Sequence, residues 1–191
     1  LETAGLSVTS FVDVHENPTT DDVASCLAVA RSADIDLFVG IGGGSALDTA
    51  KGCNCLLTKG GDMQDILGFV KATKPMLPLI AVPTTAGTGS ECQSFALIAE
   101  SDSHRKMACG DRKAMAVIAL LDPVLTVTQP AMVSACAGID AVSLAVEAAV
   151  TTRLTPLSSL YAMEAFRLTS ANFTRVLEVP DDLTAREGML L

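Results

Sequence analysis

The sequence predicts an α/β fold whose later part is entirely helical. Apolar runs typical of buried strands alternate with helix-length segments as far as Leu121, and no strand candidate follows that residue. Hydrophobic residues make up 49% of the 191 residues, and the mean hydropathy is +0.43, which favours a packed core over disorder. We therefore predict an α/β domain over residues 1–127, and a helical domain over residues 128–191.

The strand candidates are short apolar runs closed by Gly, Pro or Asp. They lie at 11–14, 35–39, 77–82, 95–99 and 115–121, and a polar turn is expected at 101–106.

The helix candidates follow capping residues or prolines. Thr19 or Thr20 is placed to cap a first helix. Its apolar stripe, at i, i+3, i+4 and i+7, comprises Val23, Cys26, Leu27 and Ala30. Further helices are predicted over 45–57, after Pro130, over 138–150 and 157–169, and from residue 181 onwards.

Charge and cysteine usage exclude some classes of protein. The net charge of −9 argues against a nucleic-acid partner. Six cysteines without a CxxC motif are expected to be buried thiols in a reducing compartment. No uninterrupted apolar run reaches the roughly 18 residues of a membrane span, so no membrane partner is expected. A cytoplasmic location follows by default, and a homo-oligomer is left open.

Both ends of the sequence have features that are typical of truncation. The first residue is Leu1, and the final helical pattern has no C-cap signal. We therefore expect an internal piece of a longer protein, with its first strand missing. Exposed apolar side chains are expected at Met189, Leu190 and Leu191.

The most informative segment leads from an apolar strand through Gly42, Gly43 and Gly44 into a helix that begins at Ser45. Glycines allow close approach of a ligand to the backbone, and the first turn of the helix offers unpaired N–H groups. Asp48 stands at capping-box spacing from Ser45. The pattern G-x-G-x-x-S departs from the common dinucleotide fingerprint, and a tight turn that binds nothing is the alternative.

A second glycine loop follows another apolar strand. It combines the hydroxyls of Thr84, Thr85, Thr88 and Ser90 with two glycines. Open α/β sheets bind ligands at the carboxyl ends of their strands, so the two loops are expected to converge on one crevice.

These residues resemble the iron-containing (group III) alcohol dehydrogenases, of the dehydroquinate-synthase-like superfamily. The matching motifs are GGGSALDTAK at 42–51 and PLIAVPTTAGTGSE at 78–91, with GIDA at 138–141. The resemblance implies a Rossmann-like parallel-sheet domain, an all-helical C-terminal domain, and NAD or NADP as cofactor. It also implies hydride transfer to or from a small alcohol or aldehyde.

Residue roles follow from the resemblance. It implies that Gly43, Gly44 and Ser45 cradle the pyrophosphate, with Asp48 close by and Gly42 in the same cofactor-binding loop. It implies that Thr84, Thr85 and Thr88 line the phosphate and nicotinamide side, that Lys106 reaches a ribose, and that Leu125 packs near the cofactor.

The family's metal site is incomplete here. The family carries a metal-binding Asp and, four residues later, a His on one helix. The corresponding residues are Asp140 and Leu144, and Leu144 cannot bind a metal. Bound Fe²⁺ or Zn²⁺ would need other ligands, and His15 and His104 are interpreted as non-ligands. The alternatives to a dehydrogenase are a non-catalytic NAD(P)-binding relative and a dehydroquinate-synthase-like lyase. No catalytic residue is assigned.

Overall fold

The computed structural model describes residues 1–191 and contains five α-helices and six β-strands. The helices are α1 Thr20–Arg31, α2 Gly44–Lys59, α3 Ala131–Val150, α4 Pro156–Glu178 and α5 Leu183–Leu190. The strands are β1 Phe38–Gly42, β2 Gly68–Phe69, β3 Leu79–Pro83, β4 Phe95–Ala99, β5 Lys106–Gly110 and β6 Ile118–Ala119.

Helix α1 forms where local sequence signals agree. Thr19 is its N-cap, and the side chains of Thr19 and Asp22 form a capping box with the backbone. The four residues of the predicted apolar stripe are its four buried residues. A fully buried Val or Leu contributes about 1.5–3 kcal/mol through the hydrophobic effect, so this stripe fixes the face that α1 presents to the core.

The strands form two three-stranded sheets. One has the order β1-β3-β6, and β3 pairs in parallel with β6 through Ile80↔Ile118 and Ala81↔Ala119. The other has the order β2-β5-β4, in which β4 and β5 are antiparallel. The α/β prediction is confirmed, with an added antiparallel hairpin that the sequence did not indicate.

Several strand predictions are wrong in detail. Residues 11–14 form no strand, because no neighbouring strand pairs with them. Of the predicted 115–121 strand, only Ile118–Ala119 forms a strand. Strand β5, at Lys106–Gly110, was not predicted, and its first residue, Lys106, falls in the predicted polar turn at 101–106. The prediction for β4 matches the observed bounds.

The main core lies beside the antiparallel hairpin. It gathers apolar side chains from α1, α2, β4 and β5, among them Val23, Leu56, Ile98 and Met107. Four of the six cysteines are buried here or at its edge as free thiols, and Cys92 and Cys136 are exposed. The expectation of six buried thiols therefore holds for four.

The helices after residue 130 pack closely on one another. A side chain at Gly138 of α3 would overlap the ring of Phe173 on α4, so the small residue sets the approach of these helices. Met189 and Leu190 of α5 are buried, with exposures of 7% and 8%. The expected exposure at these two residues is therefore wrong, because α5 folds back against α4; Leu191 is exposed as expected.

The chain divides into two compact units. The first comprises Leu1–Ala81 and Ser90–Ala119, and the second comprises Val82–Gly89 and Leu120–Leu191. The domain boundary between residues 127 and 128 stays a prediction.

Helix α3 is long and apolar enough to cross a membrane by length and composition alone. Its mean hydropathy is 1.6 over 18 residues, of which 22% are buried. Core helices of soluble proteins meet the same two criteria. Exposed Asp140 and Glu147 lie within the helix, and charged side chains are costly in a bilayer.

Candidate functional site

The start of α2 leaves its first-turn N–H groups without a side-chain cap. The N-cap is Gly43, which has no side chain to accept from them. Gly42 has φ +145°, and a Cβ there would lie 2.7 Å from the Cβ of Ala46. Glycine is therefore required at 42, because of both its backbone conformation and the lack of space for a side chain. The uncapped N-terminus of the 16-residue helix α2 offers N–H donors and the positive end of the helix dipole to an anion.

The predicted capping box of Ser45 and Asp48 is wrong. The Oγ of Ser45 accepts from the backbone N–H of Asn17 at 3.3 Å. Asp48 instead accepts from the Oγ of Ser90 at 2.5 Å and from the N–H of Leu97 at 2.9 Å. Both carboxylate oxygens are thus used within the protein, and a direct contact between Asp48 and a cofactor stays a prediction.

The second glycine loop follows β3 directly. Thr84, Thr85 and Thr88 are half-buried, and the Oγ1 of Thr85 is buried without a hydrogen-bond partner. Buried hydroxyls are nearly always paired, so this atom is suited to a ligand contact. A Cβ at Gly87 would overlap the carbonyl oxygen of Ala137 on α3, which shows how tightly the loop packs there. The convergence of the two loops stays a prediction.

Lys106 and Leu125 have different surroundings. Lys106 is exposed at the first position of β5, opposite Ala99, rather than in a turn. Leu125 is half-buried in the 3₁₀ turn Pro123–Thr126. Arg186 of α5 holds that turn, because its Nη1 donates to the carbonyl oxygen of Thr126 at 2.7 Å. Contacts of Lys106 and Leu125 with a cofactor stay predictions.

The residues of this chain do not by themselves form an iron or zinc site. Asp140 and Leu144 lie one turn apart on α3, both exposed. No three His, Cys, Asp or Glu side chains lie close enough to share an ion. The Nδ1 of His15 is 2.7 Å from the Oδ1 of Asp22, and this hydrogen bond raises the pKa of His15. His104 is exposed in the turn before β5.

One buried group near the loops was missed in the sequence. Lys51 is 1% exposed, and its ammonium donates to Ser90 and Phe95. The sequence does indicate that Lys51 is buried, because it follows Leu47 by four residues and therefore lies on the apolar face of α2. A lysine on such a face needs buried acceptors, but the sequence alone does not identify them.

Comparisons with known proteins agree with the motifs. The sequence model of the family described as iron-containing alcohol dehydrogenase matches residues 1–123. Alcohol dehydrogenase 4 of Schizosaccharomyces pombe is 39% identical over 189 residues, covering 99% of this chain and 45% of that protein. The NAD-dependent methanol dehydrogenase of Bacillus methanolicus is 37% identical and covers 97% of this chain and 49% of that protein.

Solved structures show the same fold. A 1,3-propanediol oxidoreductase matches with a TM-score of 0.95 and 33% identity, over 99% of this chain and 50% of that chain. The sulfoacetaldehyde reductase of Bifidobacterium kashiwanohense, solved with NAD⁺, matches with a TM-score of 0.86 and 29% identity, over 94% and 48% respectively. The chain thus spans about half the length of the relatives that it matches.

Proposed function

Because the chain belongs to the iron-containing alcohol dehydrogenase family, we propose that it binds a nicotinamide dinucleotide and serves hydride transfer between that cofactor and a small alcohol or aldehyde. The observation that carries the proposal is the bare N-terminus of α2 at Gly43. An anion placed there is stabilised by about 0.3–2 kcal/mol, and a pyrophosphate fits its charge and size. The relatives named for NAD support NAD(H) over NADP(H).

The chain's own residues would bind and orient the cofactor, whose nicotinamide supplies the hydride chemistry. The N–H groups of Gly43 to Ser45 would hold the pyrophosphate. The hydroxyl of Thr85, which lacks a partner within the chain, would donate to or accept from the cofactor, beside Thr84 and Thr88. Lys106 would reach a ribose hydroxyl, and Leu125 would pack against the cofactor.

A second candidate function is a non-catalytic NAD(P)-binding relative. Leu144 favours it, because it stands where the resemblance implies a metal-binding His. The family is named for iron, but this chain alone supplies no complete set of ligands for that metal, and no step of the reaction is assigned to a metal ion here. Nothing in the structure favours a dehydroquinate-synthase-like lyase.

The activity is tested on the product of the complete reading frame that encodes this chain. We expect formation of NADH, followed by its absorbance, on addition of short primary alcohols or 1,3-propanediol, and slower reduction of NADP⁺. Formation of neither reduced cofactor, despite tight binding of NAD⁺, would favour the non-catalytic candidate. Absence of dinucleotide binding would contradict both.

The metal content of the same protein is a separate prediction. After anaerobic purification we expect less than stoichiometric iron and zinc, because Leu144 offers no ligand beside Asp140. Leu144→His should raise metal content, since residues four apart share a helix face. The control is Val146→His, an exposed position of α3 two residues further on. Stoichiometric metal in the unmodified protein would contradict the expectation, as would equal gains in both variants.

A further inference from the structure

The side chain of Lys51 is a buried cation with all its hydrogens engaged. Its Nζ donates to the carbonyl oxygen of Ser90 at 2.5 Å, to the Oγ of Ser90 at 2.9 Å and to the carbonyl oxygen of Phe95 at 3.0 Å. An ammonium has three hydrogens, and three acceptors lie within 3.0 Å. No other side chain type offers a compact point charge with three donors at this depth.

Asp48 closes the network from the same face of α2. Its Oδ1 accepts from the Oγ of Ser90 at 2.5 Å and lies 3.5 Å from the Nζ of Lys51. Its Oδ2 accepts from the N–H of Leu97 at 2.9 Å. Three points of the chain beyond β3, at Ser90, Phe95 and Leu97, are therefore attached to α2 through two side chains.

The buried ammonium of Lys51 is surrounded by carboxyl groups. Burial lowers the pKa of Lys51, while Asp48 and then Glu91 act in the opposite direction. Glu91 is 8% exposed, its Oε2 has no hydrogen-bond partner, and burial raises its pKa. Asp48 lies 3.5 Å from the ammonium, and Glu91 is close enough to act on it electrostatically, so removing the charge of Lys51 would leave these buried carboxyl groups without their counterion.

The position of the network connects it to the second glycine loop. Ser90 is the last residue of the second glycine loop. It follows Gly89, which has φ +64°. Lys51 is seven residues after the first residue of α2, or about 10 Å along the helix at about 1.5 Å per residue. One rigid helix therefore carries both the bare N-terminus and the attachment of the loop's end.

We propose that Lys51 is a positioning residue for the cofactor site, whose ammonium fixes the end of the second glycine loop to the helix that receives the pyrophosphate. The proposal rests on the proposed function, because it assigns the loop a role in binding the dinucleotide. A loop that is already ordered loses less conformational entropy when the cofactor binds. Lys51 is therefore expected to increase the affinity for the cofactor as well as the stability of the fold.

The test compares Lys51→Met with Lys59→Met in the product of the complete reading frame. Lys59 lies on the same helix, and its Nζ donates only to the carbonyl oxygen of Asp65, at 3.0 Å on the surface. For Lys51→Met we expect the Kd of NADH to rise about tenfold or more at a temperature where circular dichroism shows a folded protein. Amide exchange in residues 84–90 should also become faster by about tenfold, whereas Lys59→Met should leave both unchanged.

A double variant separates positioning from stability. Asp48→Asn combined with Lys51→Met removes the ammonium and the nearer carboxylate, leaves Glu91 in place, and should recover part of the lost stability but not the NADH affinity. If Lys51→Met alone does not fold, the double variant is used in its place for both measurements. A folded variant lacking the ammonium, with a Kd within about twofold of wild type and unchanged exchange at 84–90, would overturn the proposal. Unmodified protein that does not bind NADH would overturn the proposed function instead, and the exchange measurement would still decide whether Lys51 orders the loop.

Discussion

Replacing Gly43 by valine is expected to weaken NAD(H) binding about 100-fold, or about 2.7 kcal/mol, while the protein stays folded. Gly43 has φ −74° and ψ −177°, an extended conformation that valine adopts readily. The loss would therefore come from the isopropyl group, which would cover the first-turn N–H groups of α2. Fluorescence titration with NADH measures it, and thermal unfolding monitors the fold.

The control for Gly43→Val is Ala24→Val. Ala24 is exposed on α1, so the same β-branched side chain is introduced in a helix that the proposal does not place at the cofactor. Its Kd for NADH should equal that of wild type. An unchanged Kd in Gly43→Val would show that the pyrophosphate is not bound at the start of α2.

Replacing Gly87 by alanine is expected to lower the free energy of unfolding by about 3–5 kcal/mol. Two costs combine at this position. The backbone has φ +145°, and the added Cβ would overlap the carbonyl oxygen of Ala137, a backbone atom that cannot turn aside. Urea denaturation measures the effect.

Gly60→Ala is the matched control, because it shares the cost of the positive φ but lacks the steric overlap. Gly60 has φ +80°, but nothing lies within 4 Å of a Cβ built there. It should cost about 1–3 kcal/mol, which is the cost of the backbone conformation alone at φ +80° and ψ −175°. Equal losses in the two variants would mean that the loop can move away from α3 without cost.

Local signals in the sequence predicted some elements well. Thr19, Asp22 and the apolar stripe of α1 act within one or two turns, so the sequence carries all the information that the helix needs. The two glycine motifs likewise predicted helix α2 and the loop after β3.

The errors have a common physical cause, namely partners far away in the sequence. Residues 11–14 have strand character but no adjacent strand, and pairing defines a strand. Asp48 has the spacing of a capping box with Ser45, yet its carboxylate accepts from Ser90, 42 residues later, and not from Ser45. Lys51 could not be assigned for the same reason, since its acceptors at Ser90 and Phe95 lie 39 and 44 residues away.

The site at the start of α2 is tested most directly by amide NMR of the protein titrated with NAD⁺. We expect saturable shifts that are largest at the N–H groups of Gly43, Gly44 and Ser45, with smaller shifts in residues 84–88. Saturable binding whose shifts leave Gly43 to Ser45 unchanged would contradict this expectation, as would no binding at all.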